Sequence, residues 1–210
     1  MIKKNLKVLI ITSLVILLPI LAGVILWNQL PEQIPTHWNA AGEVDGWSSK
    51  AFGVFGLPLM MLAFQWICVL GTGADPKKAN HPEKILHLVL WIIPVISIVL
   101  NTIVYMVALG QSVRVEVIMP VFIGLVFTIV GNYMPKCKQN YTIGIKIPWT
   151  LNSEENWNKT HRFAGWLWTI CGLVIMLTGF FGGFWIFFAV VLVMVFAPML
   201  YSYLLHRKGV

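Results

Sequence analysis

The sequence predicts an all-α membrane protein with six transmembrane helices, one outer polar loop and one long inner amphipathic loop. Of the 210 residues, 58% are hydrophobic and 11% are charged, whereas soluble domains carry about 25% charged residues. The apolar residues are gathered into six runs, and a helix needs about 20 such residues to cross a bilayer. Because lipid offers no partner to an open sheet edge, these runs are predicted to be helical.

The six predicted spans define the organisation of the chain. They are residues 7–28, 51–72, 85–110, 117–133, 163–181 and 184–205. The first run is interpreted as a retained span, because it is too long for the apolar region of a signal peptide and no clear cleavage site follows it. One structural domain is expected, in three segments: 1–72 with two spans and the outer loop, 73–133 with spans three and four, and 134–210 with the inner loop and the last two spans.

The distribution of basic residues predicts that both termini are cytoplasmic. With the N-terminus inside, 13 of the 15 Lys and Arg residues lie on the cytoplasmic side, and only Lys50 and Arg114 lie outside. This asymmetry follows the positive-inside rule. The net charge of +7 is therefore attributed to topology and contact with anionic lipids, and no direct nucleic-acid partner is expected.

The spans and the cysteines exclude several classes of chemistry. The six runs hold no Asp, Glu, Lys or Arg away from their ends, and ion-coupled carriers usually need ionisable groups at depth, so a transporter is disfavoured. Cys68, Cys137 and Cys171 are widely spaced, which predicts neither a disulfide framework nor a zinc motif. They are interpreted as buried small hydrophobic residues, and no cofactor or metal is expected.

The outer loop, residues 30–50, is the predicted recognition site, because loops rich in polar and aromatic residues frequently carry function. Pro31 and Pro35 favour an extended first arm. Gly42 and the Asp45-Gly46 pair supply turn positions, and Asp-Gly is a strong hairpin signal. The loop is therefore predicted to fold back on itself.

Seven residues of the outer loop are the candidates for partner binding. They are His37, Trp38, Gly42, Glu43, Asp45, Trp47 and Lys50. The first two are predicted to lie near the last two, with the two acidic residues near the tip. Each Trp alone also fits an interfacial belt, and Lys50 also fits a side chain that extends to the headgroups. The His and the two acids could form an acid–base or metal cluster, although their spacing fits no metal signature.

The inner loop is predicted to end in an amphipathic interfacial helix that begins at Ser153. Glu154 and Glu155 in its first turn offset the helix dipole, and Trp157 and His161 are expected to face the headgroups. A surface connector and a partner-docking site explain this loop about equally well. The candidate residues are Asn132, Pro135, Lys136, Asn140, Gly144, Lys146, Trp149, Thr150, Trp157, His161 and Arg162.

The two polar segments together resemble the SdpI family of bacterial membrane immunity proteins. They read IPTHWNAAGEVDGWSSK after the first span and GNYMPKCKQNYTIGIKIPWTLNSEENWNKTHRFAGWLW before the last two. The residues that match the first motif are His37, Trp38, Gly42, Asp45 and Lys50. Those that match the second are Asn132, Pro135, Lys136, Asn140, Gly144, Lys146, Trp149, Thr150, Trp157, Thr160, His161 and Arg162.

This resemblance implies a function in the bacterial cytoplasmic membrane. It implies immunity to a secreted, bacteriocin-like toxic peptide bound at the outer loop. It also implies signalling through a small cytosolic autorepressor recruited to the inner loop. The alternative from another class is a membrane enzyme that acts on lipid or peptide through the outward His, Glu and Asp residues, and a toxin exporter is the third reading.

Overall fold

The computed structural model describes residues 3–210, and its secondary structure confirms the all-α class. Within these residues 74% of the chain is helical and six helices are long and apolar enough to cross a membrane. These are α1 (Leu6–Ile25), α2 (Leu57–Gly73), α3 (Glu83–Ala108), α4 (Val115–Tyr133), α6 (Glu154–Phe181) and α7 (Phe184–Arg207). A short helix α5 (Pro148–Asn152) precedes α6, and a π-helical stretch, Phe52–Gly56, leads directly into α2.

The outer loop contains the two strands of the described part of the chain. Strands β1 (Gln33–Trp38) and β2 (Val44–Ser49) pair antiparallel. This hairpin directly precedes the second span, so a small sheet is added to an otherwise helical protein.

The described chain divides into two compact units. One comprises the residues up to Gly73 together with His87–Val115, and the other comprises Ala74–Leu86 together with Glu116–Val210. The unit boundaries therefore group α3 with the first two spans and α4 with the last two. The division predicted from the sequence, at residues 72 and 133, separates the chain by pairs of spans instead.

In the first unit, α1 packs against α2 and α3 through apolar and polar contacts. Leu9, Val69 and Leu90 form a buried cluster. The Gln65 side-chain amide donates to the Thr12 hydroxyl over 2.9 Å, a bond between two helices away from water. Such bonds fix the rotation of one helix against another, because an unpaired polar group in hydrocarbon is costly.

In the second unit, α6 packs against α7 around a buried cluster of Cys171, Ile175 and Met194. The indole N–H of Trp168 on α6 donates to the Met194 carbonyl over 2.9 Å, which ties the two helices together at mid-length. Helix α6 also approaches α4 closely: a side chain added at Gly172 would meet the carbonyl oxygen of Gly124 at 2.6 Å.

Helix α6 differs most from the sequence-based expectation. It begins at Glu154 and continues without a break to Phe181, whereas a separate interfacial helix followed by a span from Phe163 was predicted. The predicted N-cap is confirmed, since the Ser153 hydroxyl accepts from the backbone N–H of Asn156 over 3.1 Å. The polar first turns therefore extend a long helix and do not form an independent surface helix.

Candidate functional site

The hairpin is held on the first unit by one of its own apolar side chains. Ile34 is 0% exposed and packs with Leu30, Val54, Val104 and Tyr105 in a buried cluster. An isolated two-stranded hairpin is at best marginally stable in water. The buried Ile34 therefore explains how so short a sheet keeps a defined position.

The turn of the hairpin is built around Asn39. Its side-chain oxygen accepts from the backbone N–H groups of Ala41 and Glu43, over 2.9 and 3.0 Å. Gly42 has φ +80°, a left-handed conformation that glycine adopts at little cost. The prediction that Asp45-Gly46 forms the turn is wrong, because both residues lie within β2.

His37 and Asp45 form the central polar pair of the hairpin. Their Nδ1 and Oδ1 atoms are 2.5 Å apart, and the two side chains are 72% and 44% exposed. His37 lies opposite Gly46 in the register, and a Cβ at Gly46 would meet the His37 Cβ at 2.7 Å. The glycine therefore leaves room for the histidine above the sheet.

The two tryptophans of the hairpin have different environments. Trp47 is 55% exposed, whereas Trp38 packs against the buried cluster beneath the hairpin. Trp38 lies opposite Val44, and Trp47 lies opposite Pro35. The strand register therefore does not place Trp38 beside Trp47 and Lys50, as was predicted. Trp47 is the exposed tryptophan of the hairpin.

Lys50 stabilises the base of the hairpin. Its side chain is largely buried and its Nζ lies 3.0 Å from Glu32 Oε1. The same atom donates to the Trp27 carbonyl over 3.3 Å and lies 5.2 Å from the centre of the Trp27 ring. The interpretation that the Lys50 side chain extends to the lipid headgroups is wrong. Its ammonium group is bound by the Glu32 carboxylate and by the carbonyl and ring of Trp27.

The acidic residues of the hairpin do not converge on His37 as one cluster. Glu43 Oε2 accepts from the Asn39 side-chain amide over 3.1 Å, within the turn, while Asp45 pairs with His37. Within residues 3–210, no group of three or more His, Cys, Asp or Glu side chains is arranged to hold a metal ion. The arrangement can present polar and aromatic contacts to a partner.

A second polar assembly lies in the other unit, and it is called the loop module here. It comprises residues 74–82, 137–152 and the first turns of α6. Asp75, whose side chain is 0% exposed, connects the first two segments. Its Oδ2 accepts from the backbone N–H of Tyr141 over 3.0 Å and from the Thr142 hydroxyl over 2.8 Å.

The segment 137–147 is closed on itself by Asn140, which is 0% exposed. Its Oδ1 accepts from the backbone N–H groups of Thr142 and Ile143, and its Nδ2 donates to the carbonyls of Lys138 and Ile143, all over 2.7–2.9 Å. Every polar atom of this amide is therefore used inside the loop.

His161 joins the same loop to α6. Its Nε2 accepts from the backbone N–H of Ile145 over 3.0 Å, so Nδ1 carries the proton and donates to the Trp157 carbonyl over 2.9 Å. Its ring stacks on Trp157 at 4.0 Å, and the Trp157 indole donates to the Cys137 carbonyl. Gly144 lies against both rings with φ +117°, a conformation that favours glycine.

Burial separates the predicted inner residues into two groups. Asn140, Thr150, Trp157, Thr160 and His161 are buried within the module. The prediction that Trp157 and His161 face the headgroups is wrong, because they are 0% and 1% exposed and bond to the chain itself. The residues left exposed are Asn132, Pro135, Lys136, Gly144, Lys146 and Arg162, with Trp149 partly buried.

Sequence reasoning missed Asp75, His81, Gln139 and Asn156. The Gln139 amide donates to the carbonyls of Thr150 and Leu151. The Asn156 amide donates to the Ser202 carbonyl over 3.0 Å, which joins the start of α6 to the end of α7. Asp75 and His81 each precede a proline, a pattern that indicates a turn but not a buried polar contact.

These features define a class of protein: a multi-pass α-helical membrane protein with a hairpin after its first span and a hydrogen-bonded loop module before its fifth. Two family models match the corresponding regions. The model of the SdpI/YfhL protein family matches residues 136–202, and DUF1648, a domain of unknown function, matches residues 14–62. The first range contains most of the loop module, and the second contains the hairpin.

A curated relative extends the match to nearly the whole chain. "Immunity protein SdpI" of Bacillus subtilis (strain 168) is 29% identical over 209 residues, which cover 98% of this chain and 97% of that protein. The resemblance to the SdpI family seen in the two motifs is confirmed by the family model over residues 136–202 and by this relative over nearly the whole chain. No solved structure matches the chain.

Proposed function

We propose that this chain is a membrane immunity protein that protects a bacterial cell from a secreted toxic peptide. The observation that carries the proposal is its end-to-end similarity to a curated immunity protein, with 98% of the chain aligned. The match covers the hairpin and the loop module in the same order. The similarity therefore extends beyond the apolar spans, which resemble one another through composition alone. The cell location proposed is the cytoplasmic membrane, with both termini in the cytoplasm.

The hairpin is the proposed surface for the toxic peptide. The positive-inside rule favours the outer side for residues 30–50. Trp47 offers an exposed aromatic surface beside the polar His37–Asp45 pair, and tryptophan is enriched among residues that dominate binding energy. Because Ile34 and the Asn39 turn already fix the backbone, little ordering entropy would be lost on binding.

The proposal is tested by protection of a toxin-sensitive strain that expresses the protein. We expect survival at toxin levels that kill the parent strain, and unchanged killing at normal membrane levels of the protein would exclude the immunity role. Trp47→Ala is expected to lower the tolerated toxin dose at least about tenfold, the loss expected of a hot-spot residue. Trp166→Ala is the matched control, since Trp166 is also exposed, at 71%, but belongs to α6 in the second unit and not to the hairpin.

A signalling role is a second candidate, favoured by the exposed basic residues in the loop module and directly before it. Lys136, Lys146 and Arg162 are exposed, and basic surface complements an acidic patch on a soluble partner. A small repressor fused to a fluorescent protein should move to the membrane on toxin addition in cells with the wild-type chain. It should stay in the cytosol when Lys136 and Arg162 are both changed to Gln, and recruitment by that variant would argue against this surface.

The enzyme alternative gains no specific support from the geometry. A hydrolytic cluster needs its acid, base and substrate within hydrogen-bond reach of one another. Glu43 is bonded within the turn and only Asp45 contacts His37. A recognition surface accounts for the same residues without a reaction.

A further inference from the structure

A shallow apolar groove of about 560 Å³ runs along one face of α7 in the second unit. Its walls include Leu192, Phe196, Ala197, Leu200 and Tyr203 of α7. Trp149 of α5 also lines the groove, next to the last turn of α7. Apart from the Tyr203 hydroxyl and the Trp149 indole N–H, these side chains offer no polar group. The groove therefore fits a hydrocarbon occupant.

The length of the groove matches one leaflet of a bilayer. From Leu192 to Tyr203 the helix rises by about 17 Å, at about 1.5 Å per residue. Half of the hydrocarbon core is about 15 Å. An acyl chain of one leaflet would fill this length, whereas a transmembrane peptide helix would extend about as far again beyond it.

Aromatic rings and positive charge mark only one end of the groove. Trp149 lies 5.1 Å from the Tyr203 ring and stacks at 29° on His206, with ring centres 6.2 Å apart. Tryptophan and tyrosine are enriched at the depth of lipid headgroups. This end is therefore the headgroup end, and the Leu192 end points to the bilayer interior.

Arg207 continues the groove face beyond the aromatic end. It follows Phe196, Leu200 and Tyr203 at intervals of eleven, seven and four residues, which place all four on one side of the helix. The Arg207 side chain is exposed. Within the described residues, its guanidinium has no hydrogen-bond or ion-pair partner. A guanidinium in this position is suited to a phosphate.

We propose that this groove is a binding site for one anionic phospholipid. An acyl chain lies along Phe196, Ala197 and Leu200, the glycerol region meets the ring of Trp149, and the phosphate and the net negative headgroup meet Arg207. The assignment is independent of the immunity role, because it uses neither the hairpin nor the exposed residues of the proposed repressor surface.

The test uses the full-length protein in phosphatidylcholine vesicles that contain increasing fractions of a brominated lipid. Bromine quenches nearby tryptophan, and the Trp149 contribution is the difference between wild type and Trp149→Phe. We expect brominated phosphatidylglycerol to reach half of its maximal quenching at about one-fifth of the fraction required of brominated phosphatidylcholine, since one basic residue near anionic lipid contributes a factor of about five.

Three variants assign that preference to the groove. Arg207→Gln is expected to abolish the preference for phosphatidylglycerol, while Lys78→Gln, which removes another exposed positive charge in the same unit, preserves it. Ala197→Phe fills the groove and should reduce quenching by both lipids. Because Arg207 is exposed and has no partner among residues 3–210, its replacement should leave the unfolding temperature unchanged.

Three results would overturn the assignment. The first is equal quenching by the two brominated lipids in wild type, and the second is an equal effect of the Arg207 and Lys78 replacements. The third is that an apolar leucine–alanine model helix relieves the quenching as well as unlabelled phosphatidylglycerol does, which would make the groove a peptide site. Loss of toxin protection has no bearing on either result, so the two proposals fail separately.

Discussion

At the scale of single residues, Asp75 is the side chain on which the loop module depends most. Its Oδ1 accepts from the backbone N–H of Lys77 over 2.7 Å, and its Oδ2 accepts from Tyr141 and Thr142 and lies 3.3 Å from His81 Nε2. Burial alone would raise the pKa of this carboxyl. The hydrogen bonds from Thr142 and the two backbone groups, with the charge of His81, outweigh burial and lower the pKa below 3.8.

The lowered pKa of Asp75 predicts a loss of stability in acid. Because the folded pKa lies below the unfolded value of 3.8, the stabilisation is fully present above 3.8 and is lost as pH falls through the folded pKa. Asp75→Asn should cost about 3 kcal/mol near pH 7, since an amide nitrogen would face several donors that then lack an acceptor. The measurement is the unfolding temperature of purified protein against pH.

The pH slope distinguishes this role of Asp75 from a general effect of lost charge. In the range below 3.8, the Asp75→Asn variant should lose less stability than wild type, because its amide does not titrate. Asp45→Asn is the matched control: its carboxyl is 44% exposed, so we expect a change within about 1 kcal/mol. Equal pH slopes in wild type and Asp75→Asn would contradict the prediction.

At the scale of elements, glycines set the contact between α4 and α6. Gly165 and Gly172 on α6 are seven residues apart, as are Gly124 and Gly131 on α4, so each pair lies on one helix face. A Cβ at Gly172 would meet the Gly124 carbonyl oxygen at 2.6 Å, and one at Gly165 would meet the Gly131 carbonyl oxygen at 2.9 Å. The two backbones are in direct contact, as in other small-residue helix pairs in membranes.

Gly172→Ala should therefore separate α4 from α6. The added methyl group would meet the Thr128 hydroxyl and also the Gly124 carbonyl oxygen and Thr128 backbone nitrogen, at 2.6 and 2.7 Å. Rotation of the hydroxyl side chain cannot relieve the two backbone contacts, and overpacking of this kind costs about 1–3 kcal/mol. Unfolding in mixed detergent micelles measures the loss. Gly71→Ala on α2 is the control, because nothing lies within 4 Å of a Cβ there and alanine is favoured by up to about 1 kcal/mol in a helix. Similar effects of both substitutions would refute the close contact.

The spans and the hairpin differ in how completely the sequence predicts them. The spans follow from hydropathy, because about 20 apolar residues in lipid have one stable conformation. When the π-helical stretch Phe52–Gly56 is counted with α2, five of the six predicted spans begin within two residues of the observed spans. The hairpin and Gly42 in its turn were predicted. The Asn39 side-chain bonds that close the turn were not, and the Asp45-Gly46 pair lies inside β2.

The polar contacts of the loop module could not be predicted from local pattern. Asp75 and Thr142 are 67 residues apart, and each is unremarkable in its own segment. The family motif marked Asn140, Trp157 and His161 as candidates for partner binding, but the pattern does not distinguish a side chain that binds a partner from one that bonds to its own backbone. Only burial and hydrogen-bond partners make that distinction.

At the scale of the whole molecule, the charge pattern predicts the orientation of the chain. The loop 74–82 carries Lys77 and Lys78, whereas the hairpin turn 39–43 carries Glu43 and no basic residue. The positive-inside rule puts the loop in the cytoplasm and the turn outside. An immunity protein that met its toxin at the hairpin would need this orientation, because the peptide is secreted.

Cysteine labelling of intact cells tests the orientation directly. Ala41 in the hairpin turn and Ala79 in the loop 74–82 are both exposed alanines, so Ala41→Cys and Ala79→Cys form a matched pair. Burial raises the pKa of the native Cys137 to about 11, and because the thiolate is the reactive form, this residue should label slowly near neutral pH. Replacement of Cys68, Cys137 and Cys171 by Ala removes the remaining background.

A membrane-impermeant maleimide should label Ala41→Cys in intact cells, and should label Ala79→Cys only after the membrane is opened. The reverse pattern would put the hairpin in the cytoplasm and exclude it as the surface that meets a secreted peptide.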